Sequence, residues 1–155
     1  MKLERKMEGE SEMSENVGII VMTHGDFGKA AMESAQLIVG QQDNYDTVSV
    51  FVVDDVEKLK EELVDKVNRL DTSKGLIVFT DIVGGTPTNL ASELLTREDV
   101  LVVAGVNLPV LLEVFTNRTK DIQSLKEVIN SAYGQGLFIR TNEDLEGEDD
   151  DEYSL

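Results

Sequence analysis

The chain has 155 residues, 41% of them apolar and only 5% aromatic, enough for one domain with an aliphatic core. It has no cysteine, which excludes disulfides, thiolate metal sites and cysteine nucleophiles. The formal charge of −17 argues against a nucleic-acid partner, whose phosphates need a basic face; eight acidic residues lie in 141–155, leaving −9 on the remainder, a balance suited to a basic protein partner.

Residues 1–16, MKLERKMEGESEMSEN, are charged and unpatterned and predict a flexible leader. They contain no apolar run long enough for a signal peptide, and no later segment approaches a membrane span, so the expected location is cytoplasmic, with no membrane insertion. The predicted domain covers 17–140. VGIIVMT (17–23) is short and β-branched and reads as a buried parallel strand. Residues 28–39 predict a helix holding Ala30, Ala31, Ala35, Leu37 and Ile38, stopped by Gly40. TVSVFV (47–52) is the second strand. A second helix is expected to open at Asp54, with Glu57 completing a capping box, and Val56, Leu59, Leu63, Val67 and Leu70 form its apolar stripe.

GLIVFT (75–80) and VLVVAG (100–105) supply strands three and four. Pro87 and Pro109 each mark a first helical turn, where the missing N–H has no partner to lose. A last helix over about 121–133 places Ile122, Leu125, Val128, Ile129 and Ala132 on one face, and GLFIR (136–140) follows as an edge strand. Residues 141–155 predict a disordered acidic tail. The expected fold is α/β: an open doubly wound sheet of four parallel strands plus a C-terminal antiparallel edge strand, with helices on both faces.

Such sheets bind ligands beyond the carboxyl ends of their strands. Three loops therefore matter: THGDFG (23–28), TDIVGGTPTN (80–89) and AGVNLP (104–109). The first holds His24, the only histidine in the chain. A neutral imidazole can accept a phosphoryl group at one ring nitrogen while the other stays protonated, and it works best when a third group fixes the tautomer. Asp81, at the end of strand three, is the candidate for that group: it can accept Nδ1–H and leave Nε2 as the nucleophile. Gly84 and Gly85 let the backbone approach a bound phosphoryl group, and the helix starting near Pro87 offers N–H groups to it. Thr86 can cap that helix or donate its hydroxyl to the phosphoryl oxygens.

Three other chemistries fit the residues less well. His24, Asp26 and Asp81 are a poor donor set for a transition metal, so no metal and no cofactor is expected. No GxGxxG or GxxxxGK[ST] is present, which leaves nucleotide binding without a motif. THG is similar to the RHG of histidine phosphatases, but Thr23 stands where the arginine that grips phosphate would be.

VGIIVMTHGDFGKAAMESAQLIVG resembles the opening of the mannose-family enzyme IIA proteins of the sugar phosphotransferase system (PTS), GLIVFTDIVGGTPTNLAS their second signature and LVVAGVNLPVLLEVF their third. The resemblance spans about 17–140. It implies a phosphoryl carrier: phospho-HPr would phosphorylate His24 at Nε2, and His24 would pass the group to a IIB component for sugar uptake. It matches Asp81 to the aspartate that orients the histidine and Thr86 to the hydroxyl residue near the phosphoryl group. It further implies a homodimer in which the last strand, here GLFIR, crosses to the partner, and a chain with no IIB domain fused to it. The same resemblance also admits a regulatory phosphoprotein whose His24 phosphorylation controls a partner.

Overall fold

The computed structural model describes residues 14–148. The leader expected over 1–16 is thus described only at its end, and there it is tied down: the Ser14 N–H donates to Asp71 Oδ2 at 2.7 Å, and Asn16 Nδ2 donates to Asp43 Oδ1 at 2.9 Å. Four parallel strands, β1 (Gly18–His24), β2 (Tyr45–Val50), β3 (Leu76–Thr80) and β4 (Val100–Ala104), form one sheet in the order β2-β1-β3-β4. Strand side chains alternate between faces, so β1 divides its residues between two cores. Ile19 and Val21 face α1 (Phe27–Val39), α4 (Leu108–Phe115) and α5 (Ile122–Gln135). Ile20 and Met22 face α2 (Val56–Arg69) and α3 (Thr86–Ser92). A 3-10 turn, Glu93–Thr96, follows α3.

The chain leaves β1 towards one face and β3 towards the other, so the crevice between these two strand ends is where connections diverge. That topology puts THGDFG beside TDIVGGTPTN. Parity then sets direction: His24 follows Ile20 and Met22 at two-residue spacing and points to the α2–α3 face.

Four expectations are corrected. The cap of α2 is Asp55, whose side chain accepts from the Glu57 N–H; Asp54 instead closes the preceding turn by accepting from the Phe51 N–H at 2.7 Å. On α1 the buried residues are Gly28, Met32 and Ala35, while Leu37 and Ile38 point outward. Residues 137–140 carry no strand: α5 runs to Gln135, and within one chain the segment lies against no strand edge, leaving Leu137, Phe138 and Ile139 exposed. The expected disordered tail starts as a helix, α6 (Asn142–Glu148). Its first turn explains this, because Asp144 Oδ2 accepts from both the N–H and the hydroxyl of Thr141, and Glu143 and Asp144 complement the helix N-terminus. The rest of the tail, 149–155, lies outside the described residues.

Candidate active site at the ends of β1 and β3

His24 is the last residue of β1, and Asp81 follows the last residue of β3. Strand pairing sets Met22 opposite Thr80, so His24 and Asp81 emerge side by side. One carboxylate oxygen, Asp81 Oδ2, lies 2.8 Å from His24 Nδ1 and accepts the His24 backbone N–H at 2.9 Å. The other, Oδ1, accepts the Ile82 N–H at 3.0 Å. The Asp81 side chain is 15% exposed and that of His24 is 53%.

Burial works to raise the Asp81 carboxyl, but the His24 backbone and ring hydrogen bonds and the His24 charge outweigh it, so its pKa falls below the ordinary carboxylate value. An ionised carboxylate is acceptor-only. In the neutral ring Nδ1 therefore carries the proton, and Nε2 presents its lone pair on the far side.

Beside that nitrogen passes the 81–85 loop. Gly84 sits at φ +83°, the left-handed region that side chains strain to adopt. At Gly85 a Cβ would lie 2.8 Å from His24 Cε1 and 3.5 Å from Nε2, so only glycine lets the backbone come this close to the ring. Gly85 is also the cap of α3, with no side-chain capping bond, so Thr86 does not cap this helix. Thr86 is its first residue, Pro87 its second, and Thr86 lines the same pocket as His24. N–H groups in a first helical turn have no intrahelical acceptor. Gly85 and Thr86 thus bring backbone and a hydroxyl-bearing side chain to the pocket that His24 lines.

The pocket itself measures ≈ 390 Å³, and Phe51, Val52, Val56 and Leu59 make its other wall mostly apolar. None of these residues was a sequence candidate. The Phe51–Asp54 turn is closed from both directions, Phe51 N–H to Asp54 Oδ2 at 2.7 Å and Asp54 N–H to Phe51 O at 3.0 Å, and it holds Val52 and Val53 fully in solvent. A paired Asp beside a short apolar run was the available signal. Asp26 is turned away from the pair: its Oδ1 accepts from Ser49 Oγ at 2.7 Å. A second overlooked residue is Thr23, wholly buried, whose Oγ1 accepts from the Gly28 N–H at 2.8 Å and so takes the place of a cap on α1. Among the described residues no helix is long and apolar enough to cross a membrane.

Residues 18–133 match the EIIA-man family, described as the PTS system fructose IIA component. The chain is 32% identical to the fructose-specific EIIA component of Bacillus subtilis (strain 168), over 84% of this chain and 90% of that one. It is 31% identical to the mannose-specific EIIAB component of Escherichia coli (strain K12), over 77% of this chain but 37% of the longer relative. Among solved structures it is similar to the PTS IIA protein associated with the fucose utilization operon of Streptococcus pneumoniae, with a TM-score of 0.74, 30% identity and coverage of 83% and 96% of the two chains.

Proposed function

The chain belongs to the EIIA-man family of sugar phosphotransferase components, and on that premise we propose that it carries a phosphoryl group on His24 Nε2, received from phospho-HPr and passed to a IIB component during sugar uptake. The observation that carries this reading is the 2.8 Å contact of His24 Nδ1 with Asp81 at the exposed end of β1, with the glycine loop lying across Nε2.

In the forward step the Nε2 lone pair attacks phosphorus, the P–N bond to the donor histidine breaks, and that histidine keeps the released electron pair. The His24 ring gains positive character, and the Asp81 carboxylate offsets it through Nδ1–H. Thr86 and the backbone of Gly84 and Gly85 hold the phosphoryl oxygens. Phosphoryl transfer depends mainly on such positioning and charge stabilisation. The return step is the same reaction with IIB as acceptor. Half-exposure of His24 supports it, since both partners must reach Nε2 from solvent.

The location proposed for this relay is cytoplasmic, and the working unit is a homodimer. Each protomer's 136–140 segment would add to the partner as an antiparallel strand beside β4. Three observations support that arrangement. β4 ends the sheet order and leaves its outer edge open. A groove of ≈ 280 Å³ runs along Leu101–Ala104 against Lys126, Ile129 and Asn130. Leu137, Phe138 and Ile139 are each about three-quarters exposed in the single chain.

Reconstitution with enzyme I, HPr, phosphoenolpyruvate and a cognate IIB tests the relay. We expect one acid-labile, base-stable label per chain, its loss in His24→Ala, and onward transfer to IIB. Undiminished labelling of the alanine variant would refute His24 as the acceptor. Labelling without onward transfer would replace the relay with a protein that acts through its phosphorylation state.

A further inference from the structure

Beneath the loop that carries Asp81, Gly84 and Gly85, two hydroxyl groups meet. Thr88 Oγ1 lies 2.6 Å from the Ile82 carbonyl oxygen and 2.7 Å from Thr80 Oγ1. Thr80 ends β3 and is wholly buried; Thr88 is half-buried in the first turn of α3. A carbonyl oxygen only accepts, and a hydroxyl has one proton to give. The Thr88 proton therefore goes to Ile82, and the Thr80 hydroxyl donates to Thr88. The chain of donors runs in one direction, from the floor of the sheet to the loop.

Little else fixes that loop. Ile82 and Val83 are 58% and 78% exposed, and Gly84 and Gly85 carry no side chain, so the loop buries little apolar surface. A segment with few buried contacts keeps its shape by hydrogen bonds. Ile82 is held on both sides of its residue, by its N–H on Asp81 Oδ1 and by its carbonyl on Thr88. The Thr88 bond also differs from the ordinary helical threonine bond to the carbonyl four residues back, because it reaches six residues back and out of its own helix. The backbone it positions runs close to the His24 ring, where a Cβ at Gly85 would lie 2.8 Å from Cε1.

We infer that Thr88 is a positioning residue for phosphoryl transfer, its hydroxyl holding the Ile82 carbonyl so that the glycine loop sits in register over His24 Nε2. It touches neither the ring nor the phosphoryl group. The inference rests on the reading of His24 as the acceptor. Its signature is a loss in the maximal transfer rate with donor binding unchanged, because the donor docks on the surface while the loop acts on the reacting group.

Thr88→Val removes the hydroxyl and keeps the shape; Thr88→Ser keeps the hydroxyl. Quench-flow transfer from labelled phospho-HPr, over a range of donor concentrations, compares both with the unaltered protein and His24→Ala. A misplacement of about 1 Å can cost on the order of a hundredfold. Asp81 still holds the loop from its other side, so the expected fall for Thr88→Val is roughly tenfold in maximal rate. Half-saturation should stay unchanged, and Thr88→Ser should transfer at close to the unaltered rate. A valine variant at full rate, a loss confined to half-saturation, or a serine variant as slow as valine would overturn the inference. If the unaltered protein takes no label, the acceptor reading fails and the inference falls with it. If Thr88→Val does not fold, Thr88→Ala takes its place: it too removes the hydroxyl that holds the Ile82 carbonyl, and a full transfer rate there would overturn the inference equally.

Discussion

Asp81 Oδ2 accepts from two donors of one residue, the His24 backbone N–H and the ring Nδ1–H. The backbone bond fixes where the side chain starts and the ring bond fixes its rotation, so the ring is held in one orientation. Asp81→Asn can satisfy one donor but presents an amide N–H to the other, favouring the wrong tautomer. In the serine-protease triad that the comparison comes from, the equivalent change costs about four orders of magnitude. Here the expected loss in transfer rate is about a hundredfold to a thousandfold, smaller because phosphoryl transfer leans more on positioning. The same variant tests the titration. Asp81 is lowered in the folded state, so its contribution to stability is full above the unfolded carboxylate value and is lost as pH falls through the folded value. Urea midpoints of the parent and Asp81→Asn should therefore differ most at neutral pH and converge below about pH 4. Equal midpoints at every pH would show that the two His24 bonds stabilise nothing. His24 and Asp81 were legible in the sequence because each stands at the end of an apolar strand, where the chain's polarity changes abruptly. Thr88 was not, because its partner depends on how the 81–85 loop folds back, and no periodicity encodes that.

At the scale of elements, the strand and helix rhythm was readable because each strand is a β-branched run and each main helix carries its stripe. Ends were harder. Asp54 and Asp55 are both good caps, and only the Phe51–Asp54 turn, which uses the first, leaves the second for α2. Arg118 was hidden altogether, since an arginine in Asn117–Lys120 reads as an exposed turn. It is 3% exposed, and its guanidinium donates to the carbonyls of Asp43 at 2.6 Å, Val17 at 2.7 Å and Asn44 at 3.0 Å. It thereby ties the turn after α4 to the entries of β1 and β2, at the end of the sheet opposite His24. Arg118→Met takes this donor from the Asp43 and Val17 carbonyls, while Asn44 keeps the Ile19 N–H, and should cost about 2–4 kcal/mol. Arg118→Lys keeps the charge without the planar fork and should recover less than half of that. Urea unfolding measures both. A methionine variant as stable as the parent would mean that the carbonyls find other donors.

The whole molecule joins a finished core to an unfinished edge. Both faces of the sheet are covered and every strand but β2 and β4 has two neighbours. Among the described residues, the apolar run Leu137–Ile139 pairs with no strand and is about three-quarters exposed. Sequence reasoning identified that run as a strand from its apolar character, and the single chain departs from it for a physical reason: a strand exists only with a partner edge, and this segment pairs with none in its own chain. Open apolar edges invite pairing with a further chain, and covering them by exchange is one way to remove the hazard. The charge distribution bears on the same question. With eight acidic residues in 141–155 on each chain, two tails brought near each other repel, and salt screens this over about 10 Å at 0.1 M. The tail therefore should not be what holds a dimer together. Deleting 136–155 should convert the protein to monomer at micromolar concentration, whereas deleting only 141–155 should leave the dimer intact or tighten it slightly at low salt. Sedimentation velocity over a concentration series distinguishes these outcomes. A full-length protein that is monomeric throughout the range would exclude strand exchange, and a dimer that survives loss of 136–155 would place the interface elsewhere, with the exposed Leu37 and Ile38 on α1 the next surface to test.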